Sequence, residues 1–373
     1  MTTEATRCLG TFEPQAADTG FLRRPEANYA VRPDDVRVPR ELVKSLGLRG
    51  GELVEGACRP ARKGGVRELR DAERINGRLP QEFEARRPFE ELTAIDPDRQ
   101  IRFETPGGPL TMRVVDLMTP IGIGQRGLIV APPRTGKTIL LQQMAAGVAA
   151  NYPELYMMVL LIDERPEEVT EMRRTVHGEV VSSSNDHDVA SHIRIARLML
   201  QKAKRMVECG QHVFILLDSL TRLGRAFNAG GRGHTGRIMS GGIDAGALIE
   251  PKGIFGAARN VEHGGSLTII ASILVDTGSR MDEVIFNEFK GTGNMEIMLS
   301  RELANRRLWP AIDLQASGTR KEERLLDPTS LQQVVRIRRT LLSRPPVQQM
   351  EALLAELQRH PNNAAMIAHL AKT

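Results

Sequence analysis

The sequence predicts an α/β fold with a mainly parallel sheet, preceded by a small β-barrel, and two observations support this prediction. From residue 111 onward, apolar strands alternate with helical stretches, which is the pattern of parallel βαβ units. Residues 9–76 instead hold five short strand-like segments and one brief helix, which suits a barrel of the OB or cold-shock type. We therefore expect two domains in this chain.

The first domain is predicted to span residues 9–77, after a disordered N-terminus of residues 1–8. Its candidate strands are residues 9–13, 20–23, 36–38, 52–58 and 67–75. Residues 39–46 predict a helix, because the segment begins with proline and a glycine follows it. Barrels of this kind bind single strands by stacking bases on aromatic rings in a basic groove, and Phe21, Arg23 and Tyr29 are the candidates here. A purely structural β-module remains the alternative, because aromatic residues are few.

Residues 78–110 are predicted to be a linker, because prolines and glycines interrupt them repeatedly. Within this segment, residues 89–92 are expected to dock on a neighbouring surface. The second domain, residues 111–373, then contains the α/β fold and ends in helices.

Residues 127–138, GLIVAPPRTGKT, predict a phosphate-binding loop between a buried strand and a helix. Backbone N–H groups and the helix N-terminus offer a site for polyphosphate. Lys137 is expected to reach the β- and γ-phosphates, and the Thr138 hydroxyl is expected to hold Mg²⁺. The usual first glycine of this pattern is Ala131, which requires that this position not need positive φ. The predicted loop residues are Pro133, Arg134, Thr135, Gly136, Lys137 and Thr138.

Two acidic residues follow apolar strands of the second domain. Glu164 comes after the strand at residues 156–162, and ligands of open α/β sheets lie at the carboxyl ends of strands. A carboxylate there can orient the water that attacks the γ-phosphate, although a helix-capping role is the alternative. Asp218 ends the strand at residues 213–218, as the acid of a Walker B element does on the Mg²⁺ side.

Two glycine-rich basic segments follow, at residues 229–242 and 290–294. The first is too rich in glycine to predict a helix or strand, and the second lies between the strands at 266–274 and 295–299. Cationic loops on an ATPase domain suggest contacts to a phosphate backbone, with plain surface loops as the alternative.

Composition and cysteine usage predict a cytoplasmic protein without a membrane segment. The 373 residues include 51 Lys and Arg against 46 Asp and Glu, a net charge of +5 that suits a polyanionic partner. Cys8, Cys58 and Cys209 lie far apart without metal-ligand spacing, so we expect reduced, unpaired thiols. The longest apolar run, residues 155–162, is too short to span a bilayer.

Taken together, these segments resemble the family of transcription termination factor Rho. The matching runs are GLIVAPPRTGKT, VLLIDERPEEVTEM, LLDSLTRLGRAFN, GAARNVEHGGSLTIIA, DTGSRMDEVIFNEFKGTGNME and PAIDLQASGTRKEE. The resemblance implies a RecA-type P-loop NTPase domain and an RNA-dependent ATPase and helicase. It also implies ATP and Mg²⁺ as cofactors, a homohexameric ring, and RNA and the RNA polymerase elongation complex as partners.

The resemblance further implies roles for single residues. Glu164 resembles the water-activating carboxylate, Arg165 an interface gate, and Arg320 the finger that completes a neighbouring subunit's site. Further matches are an interface cation at Arg307, an adenine-stacking ring at Trp309, and RNA-tracking loops at Arg237 and at Lys290, Gly291, Thr292 and Gly293.

The chain departs from the family in the first domain. Thr19 and Arg37 occupy two places where the family has aromatics, and residues 66–67 replace another. The leading interpretation is a ring ATPase that translocates on RNA and releases transcripts. A similar RNA-stimulated ATPase without termination activity is the second interpretation, and a rotary or secretion-type ATPase is the third.

Overall fold

The first part of the chain folds into a closed five-stranded barrel in this computed structural model, which describes residues 6–59, 65–84, 86–183, 188–230 and 235–372. Its strands pair in the order β1-β2-β3-β5-β4, and β4 pairs back onto β1. The strands are β1 (Thr6–Gln15), β2 (Thr19–Arg23), β3 (Val36–Val38), β4 (Leu53–Arg59) and β5 (Glu68–Ile75). Helix α1 (Arg40–Ser45) follows Pro39. The predicted barrel is confirmed.

Strand β1 begins earlier than the sequence predicted. Residues 6–8 pair with β4, so the expectation that they are disordered is wrong, while residues 1–5 lie outside the described part. The same pairing brings two cysteines together, and Cys8 forms a disulfide bond with Cys58. The expectation of unpaired thiols is therefore also wrong for these two. Their sequence separation of 50 residues concealed a diagonal contact between adjacent strands.

Residues 78–110, predicted as a linker, pack closely onto the domains beside them. This segment includes α2 (Pro80–Glu84), β6 (Ala94–Ile95) and β7 (Gln100–Ile101). Phe83 joins the apolar core of the barrel, whereas Phe89 and Phe103 enter the cores of the second domain. The predicted docking of residues 89–92 agrees with this burial.

The second domain is built around a mainly parallel sheet in the order β11-β10-β12-β14-β9-β15-β16. Neighbours from β11 to β15 are parallel, whereas β16 is antiparallel to β15. Apolar clusters cover both faces, as expected for strands without polar alternation. The sheet strands are β9 (Arg126–Ala131), β10 (Tyr156–Ile162), β11 (Glu179–Ser183), β12 (His212–Asp218), β14 (Ser266–Leu274), β15 (Met295–Met298) and β16 (Gly318–Thr319). Two short strands, β8 (Ile121–Gly122) and β13 (Arg259–Val261), pair with β7 and β14 respectively.

Helices connect these strands and complete the domain. Among the described residues, no helix is both long and apolar enough to cross a membrane. The first of them are α3 (Leu110–Met118), α4 (Lys137–Asn151), α5 (Pro166–Thr175), α6 (Val189–Glu208), α7 (Leu220–Gly230) and α8 (Ile249–Gly256). The last are α9 (Arg280–Phe289), α10 (Arg301–Asn305), α11 (Pro328–Leu342), α12 (Pro346–Gln358) and α13 (Asn363–Leu370).

Helix α7 corrects one sequence prediction. The glycine-rich segment was expected to start as a loop at residue 229, but Ala229 and Gly230 form the last turn of α7. Residues 231–234 of the predicted loop lie outside the described residues. Beyond them, Ile238 forms a β-bridge with Asp244, so residues 235–244 fold back on themselves.

Partly buried polar contacts join the barrel to helix α6. Arg194 donates to the Glu13 carboxylate at 2.7 Å and to the carbonyl of Tyr29 at 2.7 Å. A side chain at Gly51 would place its Cβ 2.3 Å from the backbone of Gln201, so only glycine allows this close approach. The barrel is thus held against the long helix of the ATPase domain.

Candidate active site

The phosphate loop lies between β9 and α4, as the sequence predicted. Gly136 has φ +85° and Arg134 has φ +65°, and the Thr135 hydroxyl donates to the carbonyl of Pro132 at 2.6 Å. Ala131 is the last residue of β9 and does not adopt a positive φ, so the alanine at this position fits without strain. Pro133 is exposed beside this turn. The tight turn directs the N-terminus of α4 toward a ligand at the carboxyl edge of the sheet.

Three predicted site residues meet at this edge. The ammonium of Lys137 lies 3.3 Å from Glu164 Oε1 and also donates to Asp218 Oδ1. Asp218 accepts a second hydrogen bond, 2.6 Å long, from the hydroxyl of Ser272 on β14. These contacts arise because β9, β12 and β14 are neighbours, while β10 lies next to β12. The sequence therefore identified a cluster whose members are up to 81 residues apart.

The electrostatics of this cluster follow from burial. Burial raises the pKa of the Glu164 carboxyl to about 8, helped by Glu168 and Asp218 and opposed by Lys137 and Arg222. Burial alone would lower the pKa of the Lys137 ammonium, but Asp218 and Glu164 outweigh it and raise that pKa. Lys137 is therefore a stable cation, and Glu164 is a carboxyl whose proton affinity is unusually high. A perturbed carboxyl beside a phosphate loop is typical of a functional site.

Sequence reasoning missed Arg222, which contacts the predicted base. Its guanidinium lies 3.5 Å from Glu164 Oε2 and 3.6 Å from Asp163 Oδ2. Arg222 belongs to the first turn and a half of α7, just after the Walker B strand. The run LLDSLTRLGRAFN contains this arginine, but only the pairing of β10 with β12 places it beside Glu164. It orients the second oxygen of that carboxylate.

The residues predicted to hold Mg²⁺ supply oxygen ligands at the same edge. Thr138 lies in the first turn of α4, and Asp218 ends β12. Across the described part of the chain, no group of three or more His, Cys, Asp or Glu side chains is placed to hold a metal ion. The two oxygen-bearing side chains of Thr138 and Asp218 fit an ion that takes its other ligands from phosphates and water, as Mg²⁺ does.

The Trp309 ring lies directly over the phosphate loop. A Cβ at Gly136 would come within 2.8 Å of Trp309 Cζ3, and the indole is 42% exposed. An exposed indole at this position offers a flat apolar face to a nucleotide base. Arg165, at the N-terminus of α5, and Arg307, which has φ +59°, are both exposed.

Arg320 lies at the opposite end of the sheet from its own phosphate loop. It follows β16, and its N–H donates to the carbonyl of Asn294 at 2.9 Å, next to the start of β15. Met295 at the start of β15 pairs with Gly127 of β9, and the phosphate loop begins after Ala131. Gly127 and Ala131 are about four extended residues, or roughly 13 Å, apart along β9. Burial, together with the nearby Arg259 and Arg320, lowers the pKa of the Arg126 guanidinium. Arg320 therefore belongs to a cationic surface remote from its own site.

The two predicted RNA loops of this domain lie at opposite ends of α9. Arg237 is exposed in the segment that continues to Gly241, and a Cβ at Gly241 would lie 2.8 Å from the carbonyl of Arg280 at the start of α9. Lys290 directly follows the last residue of α9, about 15 Å from Arg280 along the helix axis. The geometry thus places Arg280, which sequence reasoning missed, beside the Arg237 segment.

The residues after Lys290 are more enclosed than predicted. The N–H of Thr292 donates to the carbonyl of Phe289 at 2.9 Å, and its own carbonyl accepts from Arg126. Gly293 is buried, whereas Gly291 is exposed with φ +77°. The prediction that Gly293 faces RNA is therefore wrong in this structure, because the first residues of β9 and β15 cover it.

The barrel residues predicted to bind RNA differ in their exposure. Tyr29 is fully buried, and its hydroxyl contacts Glu179 of the ATPase domain, so the prediction that this ring stacks on a base is wrong. Phe21 is half-buried, and the guanidinium of Arg23 lies 4.9 Å from its ring centroid. Arg23 is 3% exposed between Glu13 and Asp35, with contacts of 2.6 and 2.5 Å, and its role toward RNA stays a prediction.

Comparison with known families matches both parts of the chain. Residues 111–319 match the nucleotide-binding domain of the ATP synthase alpha/beta family. Residues 8–81 match the RNA-binding domain of the Rho termination factor.

Curated relatives match nearly the whole chain. Transcription termination factor Rho of Rhodopirellula baltica is 50% identical over 96% of this chain and 70% of the relative. The factor of the same name from Streptomyces coelicolor is 50% identical over 98% of this chain and 86% of the relative. The factor of the same name from Aquifex aeolicus is 51% identical over 95% of this chain and 82% of the relative.

Solved structures share the fold at lower identity. A type III secretion ATPase of pathogenic bacteria superposes with a TM-score of 0.59 and 23% identity, covering 68% of this chain and 70% of that one. An ATP synthase subunit from Nanoarcheaum equitans gives a TM-score of 0.57 at 17% identity, covering 69% of this chain and 64% of that one. These likenesses concern the fold alone.

Proposed function

Because this chain belongs to the family of transcription termination factor Rho, we propose that it is an ATP-driven RNA translocase that releases transcripts from RNA polymerase. The observation that best supports this proposal is the cluster of Lys137, Glu164 and Asp218 beside a phosphate loop, in a chain that also contains a closed barrel. A nucleotide site and a single-strand-binding fold are the two parts that such a motor requires.

In the proposed reaction, each side chain at the sheet edge acts on ATP or on water. Lys137 moves from its two carboxylates to the β- and γ-phosphate oxygens, which frees Glu164 to accept a hydrogen bond from the attacking water. Arg222 holds the other oxygen of Glu164 in place. Mg²⁺, held by Thr138 and Asp218, would neutralise charge on the phosphates. Trp309 would stack on the adenine, since its ring lies over the loop.

We further propose that the active unit is a homohexameric ring with its ATP sites between subunits. Arg320 is remote from its own phosphate loop, so it can neutralise charge on a γ-phosphate only in another subunit's site. Arg165 and Arg307 are exposed cations suited to the same interface. A closed ring satisfies the heterologous contact that such a finger requires.

RNA would contact the ring at two places. The barrel offers Phe21, and the ATPase domain offers Arg237 and, beside the segment that contains it, Arg280. Lys290 and Gly291, at the other end of α9, would contribute a separate backbone contact. Since ATP and RNA are both cytoplasmic, we place the protein in the cytoplasm.

A second candidate is an RNA-stimulated ATPase of the same family without termination activity. The single half-exposed aromatic ring of Phe21 in the predicted RNA face, with Tyr29 buried, supports this alternative. A rotary or secretion-type ATPase fits less well, because the match over residues 8–81 is to an RNA-binding domain.

Two assays separate these possibilities. ATP hydrolysis should be stimulated by single-stranded RNA. The lack of any stimulation would exclude both the transcript-releasing translocase and the RNA-stimulated ATPase without termination activity. A stalled RNA polymerase elongation complex, incubated with the protein and ATP, should then release its transcript. Stimulated hydrolysis without release would favour the second candidate, and a Lys137→Ala protein, which lacks the phosphate ligand, serves as the control for both assays.

A further inference from the structure

A disulfide bond joins β1 to β4 inside the barrel. Cys8 lies opposite Gly56 and Cys58 lies opposite Thr6, so the two cysteines are diagonal neighbours on paired antiparallel strands. Their Cα atoms are 6.2 Å apart, within the range that a disulfide spans without backbone movement. The folded barrel therefore brings the two sulfur atoms together whether or not they are bonded.

The compartment makes this bond unusual. The proposed function places the protein in the cytoplasm, where thiols are kept reduced and disulfides are mostly transient or redox-sensing. We propose that Cys8 and Cys58 form a reversible oxidation site that braces the RNA-binding barrel. This inference depends on the proposed function for the compartment, but the pairing itself does not.

A disulfide such as oxidised glutathione serves as the oxidant, and it accepts the two electrons that the cysteines lose. The Cys8 thiolate, half-buried and the more accessible of the two, attacks the glutathione disulfide and releases one glutathione thiol. The Cys58 thiolate then attacks Cys8 Sγ, which forms the protein disulfide and releases the second glutathione thiol. The two cysteines thus lose two electrons and two protons, and two glutathione thiols are formed.

The bond braces a strand that contacts the predicted RNA face. It closes a loop of 50 residues, which includes Phe21 and Arg23. Such a closure stabilises the folded state mainly by restricting the unfolded chain. β1 also contains Glu13, whose carboxylate holds Arg23 beneath the ring of Phe21. Reduction would leave the first half of β1 attached by its backbone hydrogen bonds and by the ion pair of Arg7 with Glu73.

Cys209 provides an internal reference within the same chain. Its thiol is free and buried, and the amide of Asn76 donates to its sulfur at 3.7 Å. Burial raises the pKa of this thiol, which makes it the less reactive one. Oxidation should therefore leave Cys209 as a thiol.

A redox titration of the full-length protein tests the proposal. The protein is equilibrated in glutathione buffers of increasing oxidised fraction, quenched with acid, denatured and alkylated, and the labelled peptides are identified by mass. We expect Cys8 and Cys58 to lose their label together in one reversible step, while Cys209 stays labelled. Cys209→Ser should leave this step unchanged, and Cys8→Ser should abolish it. Labelling of Cys8 and Cys58 at every buffer composition would overturn the proposal.

Hydrogen exchange tests the bracing role in the same samples. Amides of residues 6–13 and 53–59 should exchange at least several-fold more slowly in the oxidised protein, and Cys8→Ser should match the reduced protein in either buffer. Equal exchange in the two redox states would also overturn the proposal. RNA-stimulated ATPase activity is measured in parallel; its absence in both states would refute the proposed function and leave the redox result intact.

Discussion

The ammonium of Lys137 lies 3.3 Å from Glu164 Oε1 and also donates to Asp218 Oδ1, so the phosphate-binding cation contacts both the proposed base and the Walker B acid. ATP would replace these contacts with phosphate contacts to Lys137. Phosphate binding and the release of Glu164 are therefore coupled, because one lysine cannot satisfy both partners equally. Glu164 would therefore be free to accept a hydrogen bond from water only when the nucleotide is present.

Replacing Glu164 with glutamine should separate binding from hydrolysis. The amide preserves the size of the side chain and removes the proton acceptor, so we expect ATP to bind while turnover falls by about 10²- to 10⁴-fold. Single-turnover hydrolysis and ATP titration measure the two effects. Lys137→Ala is the matched comparison and should weaken ATP binding roughly 10- to 150-fold, from a lost charged contact of about 1.5–3 kcal/mol. Normal turnover in Glu164→Gln would contradict the role of Glu164.

The raised pKa of Glu164 predicts a pH-dependent stability in the nucleotide-free protein. Because the folded-state pKa, about 8, exceeds the unfolded value near 4.5, the folded protein binds more protons between these values. The stabilising contribution is present below pH 4.5 and is lost as pH rises toward 8. Denaturant midpoints at several pH values should therefore fall more steeply for the native protein than for Glu164→Gln. If the midpoints of the two proteins depend on pH in the same way, burial does not raise the pKa of the Glu164 carboxyl.

Arg320 should act on a neighbouring subunit. Arg320→Ala and Lys137→Ala proteins should each be nearly inactive alone, since each lacks one part of every composite site. In random mixed rings, about a quarter of the interfaces would combine an intact phosphate loop with an intact arginine, so activity should return. Arg324→Ala, which removes an exposed cation close by in sequence, is the control in place of Arg320→Ala. If co-assembly is verified and no activity returns, Arg320 is structural.

Trp309 is the only tryptophan, so its fluorescence should report on nucleotide binding. Because the indole lies over Gly136 and is exposed, a stacked adenine should change its emission and protect it from quenching by iodide. Trp309→Ala should weaken ATP binding by about 1–3 kcal/mol, whereas Trp309→Phe should retain most of the affinity. An emission spectrum unaffected by saturating ATP would place the base elsewhere.

The sequence predicted the barrel, the parallel sheet and the phosphate loop because each depends on local patterns. Glu164 and Asp218 were found because both follow apolar strands. Arg222 was missed because only the pairing of β10 with β12 brings it to Glu164. The Cys8–Cys58 bond was missed for the same reason, since it depends on the pairing of β1 with β4.

Exposure was the property that the sequence predicted least well. The sequence predicts that Tyr29, in a short loop, stacks on a base. Its ring is instead buried against the ATPase domain, where its hydroxyl contacts Glu179. Nothing in the local sequence indicates that a second domain covers it. Lys290 and Arg237 were likewise both predicted as basic loop residues, but the segment of Arg237 contacts the start of α9, whereas Lys290 follows its end.

The last prediction concerns base preference at the barrel. Phe21 pairs across the sheet with Arg37, which in turn pairs with Glu68, so the predicted RNA face offers one half-exposed ring beside an arginine. A missing stacking partner removes about 1–3 kcal/mol per base, whereas an arginine adds a screened contact to phosphate. RNA binding should thus be only weakly selective and strongly salt-dependent.

Filter binding of the full-length protein to poly(C), poly(U) and poly(A) at two salt concentrations measures both properties. Arg37→Tyr should increase affinity for pyrimidine polymers and flatten the salt dependence, because it exchanges a phosphate contact for a stacking ring. Arg37→Ala is the matched control, since it removes the charge without adding a ring. Phe21→Ala should weaken binding to all three polymers. A strong preference of the native protein for poly(C) that survives raised salt would instead show that Phe21 alone suffices for selectivity.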